Sequence, residues 1–237
     1  MRGQKMAEDH CEAKRIYGLY GRFARWLMRT FSPRYRCEFA AAEEPVVYVC
    51  RHLNMHGPYT TLKWLPMELH PLIIHVFFDR ETTVRHLTQY TFAARYGKKE
   101  RRFSLAAHVL GRIVPPLIHS LQGIPVYRCG IQSVTTIRTG LKYLLKNESL
   151  IVYPDIDYTD GYDQTSQIYD GFLYLGEQYY KKTGKQLAFV PLVIDDKNRT
   201  ITAGDSIRIT NYRTEGAAAA EQLRLAINKT AAAELAG

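Results

Sequence analysis

Five consecutive apolar residues, Val46-Val47-Tyr48-Val49-Cys50, run directly into Arg51-His52-Leu53-Asn54-Met55-His56-Gly57-Pro58-Tyr59. A run this short, rich in β-branched side chains and closed by a Gly-Pro turn, reads as a strand rather than a helix. It has no polar face, so it belongs in a sheet covered on both sides. Comparable runs predict strands over 72–78, 125–128, 150–153, 188–194, 200–203 and 207–209, the last three being neighbours. Steps of three and four predict helices over 13–31, 81–95, 103–120, 131–147, 168–182 (closed by Gly184) and 216–235. Alternating strands and helices predict an α/β fold: a mixed, mostly parallel sheet with helices on both faces, preceded by an N-terminal amphipathic helix. A division at 1–35 and 36–237 separates that helix from the α/β domain.

The chain has 237 residues and a net charge of +9. It needs an anionic partner: nucleic acid, an acidic membrane surface or a phosphorylated small molecule. Nucleic-acid binding wants bases on an exposed sheet face or a helix–turn–helix. Here they gather on helix 13–31 and on the turn Lys98-Lys99-Glu100-Arg101-Arg102, which argues against it. Helix 13–31 sets Ile16, Leu19, Tyr20, Phe23, Trp26, Leu27 and Phe31 against Arg15, Arg22, Arg25 and Arg29. That pattern fits a helix lying on anionic lipid, or one packing its apolar stripe on its own domain. The aromatic and basic stretch 79–120 is either a second membrane-facing element or a solvated turn between packed helices. No apolar run reaches the roughly 18 residues of a spanning helix, and no signal-peptide region opens the chain. Cys11, Cys37, Cys50 and Cys129 form no CxxC pair, as expected of free thiols in a reducing compartment. The expectation is a cytoplasmic protein, peripheral on the inner face of the cell membrane.

Chemistry in such folds sits beyond the carboxyl ends of the strands. Three predicted ends carry suitable groups: His52, Arg128, and the acids Asp155 and Asp157. An imidazole removes a hydroxyl proton near neutral pH and a guanidinium grips an anionic oxygen, and a carboxylate would converge with them at the same rim. His56 joins His52 on one face if 52–56 forms a helical turn. The two histidines have metal-ligand spacing, but no Glu lies between them and His70, His75 and His86 are scattered. No metal and no organic cofactor is expected.

The order of these segments resembles the glycerophospholipid acyltransferase superfamily, the bacterial 1-acylglycerol-3-phosphate acyltransferase type. His52 falls at the histidine of a His-x4-Asp block. Gly123-Ile124-Pro125-Val126-Tyr127-Arg128 resembles the second block, and Tyr153-Pro154-Asp155 the Phe-Pro-Glu of the third. Tyr169-Asp170-Gly171-Phe172 resembles a helix start, and Val190-Pro191-Leu192-Val193-Ile194 the Val-Pro-Val strand. The likeness spans about 45–210. The chain departs from it at Gly57, where the acid of the first block belongs, and in the third block, which lacks Gly, Thr and Arg.

The resemblance implies acyl transfer from a thioester on coenzyme A or acyl carrier protein to the hydroxyl of a lysophospholipid or related glycerolipid. It makes His52 the base, with His56, Asp155 and Asp157 as substitutes for the missing acid's role. It makes Arg51, Asn54, Gly123, Arg128, Tyr153, Pro154 and Gly171 substrate contacts. The alternative is a lipid-binding or regulatory protein of the same fold without turnover.

Overall fold

The structure, a computed structural model, describes residues 14–92, 100–127, 130–156 and 165–229. Eight strands form one sheet in the order β1-β7-β6-β2-β5-β3-β4, with β8 on β6. They are β1 (Arg36–Cys37), β2 (Val46–Cys50), β3 (His70–Ile74), β4 (Ile124–Val126), β5 (Leu150–Val152), β6 (Ala188–Asp195), β7 (Thr200–Ala203) and β8 (Ile207–Arg208). The helices are α1 (Leu19–Thr30), α2 (His56–Trp64), α3 (Arg80–His86), α4 (Glu100–Ser120), α5 (Ser133–Leu144), α6 (Tyr174–Thr183) and α7 (Tyr212–Asn228).

β2 is the centre of the sheet. It pairs in parallel with β5 on one side and β6 on the other, and all five of its residues are buried. Val47 and Val49 pack under α5, α6 and α7 with Leu144, Leu175, Phe189 and Leu223. Val46, Tyr48 and Cys50 pack on the other face with Leu65, Leu69, Ile151 and Leu192. The fold is therefore α/β with a mostly parallel, mixed sheet, the antiparallel contacts being those of β6 with β7 and β8. β1 runs parallel to β7, so its first residue, Arg36, stands level with the carboxyl end of β6: Arg36 aligns with Thr200, and Thr200 with Asp195.

Several boundaries differ from expectation for local reasons. β3 stops at Ile74 because its neighbour β4 ends at the matching Val126; His75–Phe78 coil into a 3-10 turn instead. The helix after it begins at Arg80, capped by the Asp79 carboxylate on the Thr82 N–H at 3.0 Å, and passes into a π-turn over Leu87–Thr91. α6 is preceded by a 3-10 turn over Gly171–Leu173 and is closed by left-handed Gly184. Two elements had no clear periodicity in the sequence: α2, read as loop, and the two-residue edge strand β1. Residues 93–99 and the end of the helix expected over 216–235 lie outside the described residues, as do Cys11 and Cys129.

α1 is inside out relative to a packed amphipathic helix. Gly21 and Arg25 are its buried residues, while Leu19, Phe23, Trp26 and Phe31 are 80%, 57%, 60% and 81% exposed. Arg25 Nε donates to the Lys63 carbonyl at 3.2 Å, and its Nη2 reaches the Leu65 carbonyl. Arg29 Nε donates to the same Lys63 carbonyl at 2.6 Å. The two guanidiniums cap the carbonyls that end α2, a favourable place for cations. At its start α1 meets α4, where Ser120 Oγ accepts from the Gly21 N–H at 2.7 Å. Among the described residues no helix is long and apolar enough to cross a membrane.

At the amino end of the sheet a polar cluster ties three segments together. His70 is 1% exposed and stacked on Tyr143 at 3.7 Å; its Nδ1 faces the Gln122 carbonyl at 2.9 Å and its Nε2 the Glu148 carboxylate at 2.9 Å. Lys14 Nζ closes the cluster on Glu148 at 2.6 Å. Burial alone raises the Glu148 carboxyl, but hydrogen bonds from Lys14 and His70 outweigh it and hold the group below the usual carboxylate range. A carboxyl depressed in the folded state stabilises above its unfolded value, about 4.3, and that contribution is lost as pH falls through the folded value. Replacing Glu148 by Gln is expected to lower unfolding free energy by about 2 kcal/mol in urea titrations at pH 7. The gap should close in the same titrations below about pH 4; equal stabilities at pH 7 would refute this role for the cluster.

Candidate functional site

β2, β3, β4, β5 and β6 are parallel, so their carboxyl ends share one edge of the sheet. Arg51 and His52 leave β2 there, Tyr153-Pro154-Asp155 leave β5, and Asp195-Asp196 end β6. The imidazole–carboxylate contact at this edge is between His56 and Asp196, whereas Asp155 bonds the His52 backbone.

The turn after β2 decides which histidine is used. Leu53, Asn54 and Met55 have φ of 42°, 52° and 76°, three successive non-glycine residues in the left-handed region. Each costs on the order of 1 kcal/mol or more, a strain the surrounding structure must hold. α2 starts only at His56, so the helical turn that would put both rings on one face is not formed. The reversal brings Gly57 against the start of the turn: its N–H donates to the His52 carbonyl at 3.1 Å, and a Cβ there would stand 1.7 Å from the Arg51 carbonyl oxygen. No side chain fits at 57. The acid of a His-x4-Asp block, which would stand at 57 after four intervening residues, is excluded by packing.

His52 keeps its place beneath the turn. Its Nδ1 accepts from the Met55 N–H at 3.4 Å, and its ring meets Tyr153 edge-on at 6.2 Å. Asp155, proposed to orient the imidazole, instead accepts from the backbone N–H of His52 at 2.9 Å through Oδ2. The same oxygen takes a bond from the Thr165 hydroxyl at 3.3 Å, and among the described residues Oδ1 has no hydrogen-bond partner. Asp155 is 5% exposed, and burial pushes its carboxyl up despite the His52 N–H and nearby Arg51. Its geometry is that of a brace. It ties the exit of β5 to the exit of β2, and Thr165 is itself held by Asn228 of α7 at 2.8 Å.

His56 pairs with a carboxylate. Its Nε2 lies 2.8 Å from Asp196 Oδ1, one residue beyond β6. Tyr35, just before β1, donates its hydroxyl to the same oxygen at 2.7 Å and sets its ring edge-on to the imidazole at 6.5 Å. Burial and the Asp196 hydrogen bond raise the Tyr35 phenol to about 12, so it remains a donor at neutral pH. Among the described residues no hydrogen bond engages His56 Nδ1, which leaves that nitrogen to exchange a proton. The His56 and Asp196 side chains are 35% and 63% exposed. Among the described residues no cluster of three or more His, Cys, Asp or Glu could hold a metal.

The remaining expected contacts divide. Arg51 is half-buried, with Nε donating to Thr165 Oγ1 at 3.3 Å. Asn54 is exposed in the strained turn. Tyr153 reaches α2, its hydroxyl 2.7 Å from Thr61 Oγ1, and the Pro154 carbonyl accepts from the Tyr169 N–H at 2.8 Å. Gly123 is a correction: it precedes β4 at the amino end of the sheet, opposite the histidines, where it packs on Ile118. Gly171 is exposed, and a Cβ there would meet nothing within 4 Å, so no close approach demands glycine. Arg128 and Asp157 lie outside the described residues.

Asp196 and Tyr35 were missed in the sequence. Asp196 carried a signal, an acid just past a predicted parallel strand, but Asp195-Asp196-Lys197-Asn198 also reads as a turn. Tyr35 carried none. Comparison with family models, characterised proteins and solved structures gave no match.

The tight turn makes a sharp expectation. Gly57→Ala should cost about 3 kcal/mol or more in chemical denaturation, because backbone rather than a flexible side chain blocks the new methyl. Gly171→Ala should change stability by less than about 0.5 kcal/mol. Similar values for the two variants would disprove the close approach at Gly57.

Proposed function

We propose that the chain transfers an acyl group from a thioester, carried by coenzyme A or acyl carrier protein, to the hydroxyl of a lysophospholipid or related glycerolipid. The observation that carries this reading is the His56–Asp196 pair at the carboxyl edge of a parallel sheet, with His56 Nδ1 unengaged among the described residues. His56 Nδ1 takes the hydroxyl proton as the alkoxide attacks the thioester carbonyl carbon. The tetrahedral adduct collapses, the C–S bond breaks, and the thiolate recovers the proton from the imidazolium. Asp196 fixes the ring and stabilises its cation, and Tyr35 fixes Asp196. His52 and Asp155 build the turn rather than act on substrate.

Both substrates are amphiphiles, and the exposed apolar side of α1 supports a peripheral place on an anionic membrane, the cytoplasmic face in this reading. A second reading has one observation behind it. Asp196 is 63% exposed, and an imidazole–carboxylate pair in water is weaker than one in a dry site. That arrangement suits a protein that binds acyl chains without turning them over.

Single-turnover acyl transfer from acyl-CoA to a lysophospholipid tests both. His56→Ala is expected to lose activity by about 10⁴-fold and Asp196→Asn by a comparable factor, as when the orienting acid of a serine–histidine–aspartate site is removed. His52→Ala should lose no more than its effect on folding. Full activity in His56→Ala overturns the assignment, and saturable acyl-CoA binding without transfer in the native protein favours the binding module.

A further inference from the structure

Both tryptophans of the chain and three arginines line one cavity of ≈ 730 Å³, walled by Trp26 and Arg29 of α1, Trp64 of α2, and Arg34, Tyr35 and Arg36 at the edge strand. None of its lining residues is acidic. Arg29 is committed, its guanidinium bonded to the Lys63 carbonyl at 2.6 Å and lying 5.6 Å from the Trp64 ring centre. Arg34 and Arg36 are different. Both are exposed, and among the described residues neither guanidinium has a carboxylate or carbonyl partner.

A fourth cation stands behind the wall. Lys63 is 2% exposed, its ammonium 3.8 Å from the centre of the Tyr59 ring and 5.4 Å from that of Trp64, with no carboxylate partner among the described residues. Buried cations without anions are costly unless the surroundings supply negative charge. The acids near the recess are already engaged: Asp196 by Tyr35 and His56, Asp195 by the Lys197 and Asn198 N–H groups and the Asn198 amide, Glu68 by Arg25 and the backbone N–H groups of Ile16 and Tyr17. The negative end of α2 is taken up by Arg25 and Arg29. Glu38, exposed beside the edge strand, is outside the lining. The recess is a positive field with two free planar donors, a geometry suited to phosphate oxygens.

A free phosphate ion would leave most of such a volume empty, which is of the size that holds a whole small molecule. Trp26 and Phe31, 60% and 81% exposed, continue the apolar side of α1 beside the arginines. Aromatic rings next to cations are the composition of the headgroup layer of a bilayer. We propose that this cavity binds the phosphate headgroup of one anionic membrane phospholipid while the apolar side of α1 enters the lipid. The site adjoins the acyl-transfer pair through Tyr35, which lines the cavity and bonds Asp196, but it uses neither His56 nor Asp196, and it stands if that activity is absent.

Because the chain's two tryptophans both line the cavity, their fluorescence reports on it directly. The full chain would be titrated with monomeric dihexanoyl phosphatidylglycerol, with dihexanoyl phosphatidylcholine, and with inorganic phosphate. A saturable fluorescence change with the anionic lipid is expected, at least tenfold tighter than with either other probe. The double variant Arg34→Gln, Arg36→Gln should weaken it at least tenfold without moving Tm, since both side chains are exposed, and His56→Ala should leave it unchanged. No saturable change with phosphatidylglycerol, equal affinity for phosphatidylcholine, or an unaltered double variant overturns the proposal. Equal affinity for inorganic phosphate also overturns it, in favour of a soluble-anion site.

Discussion

The approach of Gly57 to the Arg51 carbonyl governs the geometry of the functional edge. It folds the chain leaving β2 back on itself within six residues, so α2 starts at His56 and the two histidines diverge. His52 is left under the turn and His56 is presented at the mouth of the sheet. The three left-handed residues between them are the cost of that reversal, and the bonds from Asp155 and Gly57 to the His52 backbone hold it. Asp155 is thereby used up as a structural carboxylate. Among the described residues its Oδ1 lacks a partner, and its ionisation is disfavoured by burial, which is tolerated because one oxygen joins two strand exits at once.

A second constraint acts at the other end of α2. Four carbonyls at a helix terminus need donors, and here two come from a neighbouring helix as guanidiniums, Arg25 and Arg29. Charge-assisted bonds to a carbonyl in a buried place are worth more than neutral ones, roughly 1.5–3 kcal/mol each. They explain why α1 docks with its arginines inward. An aliphatic contact in the same position would bury more apolar surface, but it would leave the Lys63 and Leu65 carbonyls without donors. The consequence is that leucine, phenylalanine and tryptophan side chains of α1 face outward.

What could be read from the sequence follows the same division. The buried strands were legible because a run such as Val46–Cys50 has no second interpretation, and the mostly parallel order followed from their alternation with helices. The helix at 13–31 was legible as periodic, but its direction of facing was not, since periodicity says that two faces differ and not which one is wet. The pairing of His56 with Asp196 spans 140 residues and depends on β6 lying beside β2; nothing local encodes it. Gly57 looked like a missing acid because a motif compares residue types at a spacing, whereas the structure sets the distance from a Cβ to a carbonyl oxygen. Gly123 was matched by its neighbours in sequence, yet it lies before its strand rather than after, which puts it at the opposite end of the sheet.

These constraints meet in α2, which joins the arginines of α1 to the His56–Asp196 pair. Its nine residues span about 13 Å from the carbonyls gripped by α1 to the imidazole at His56. If α1 lies in the interface of a bilayer, the height of His56 above the acyl chains is fixed by a short rigid rod and two guanidinium clasps. The hydroxyl of a lysophospholipid sits at the headgroup level, above the hydrocarbon, so an imidazole raised by about that length can meet it without drawing the lipid out of the membrane. A base on a long loop would have no such fixed height. Under the proposed membrane docking, the inward arginines would set the depth of α2, and the strained turn would aim its first residue.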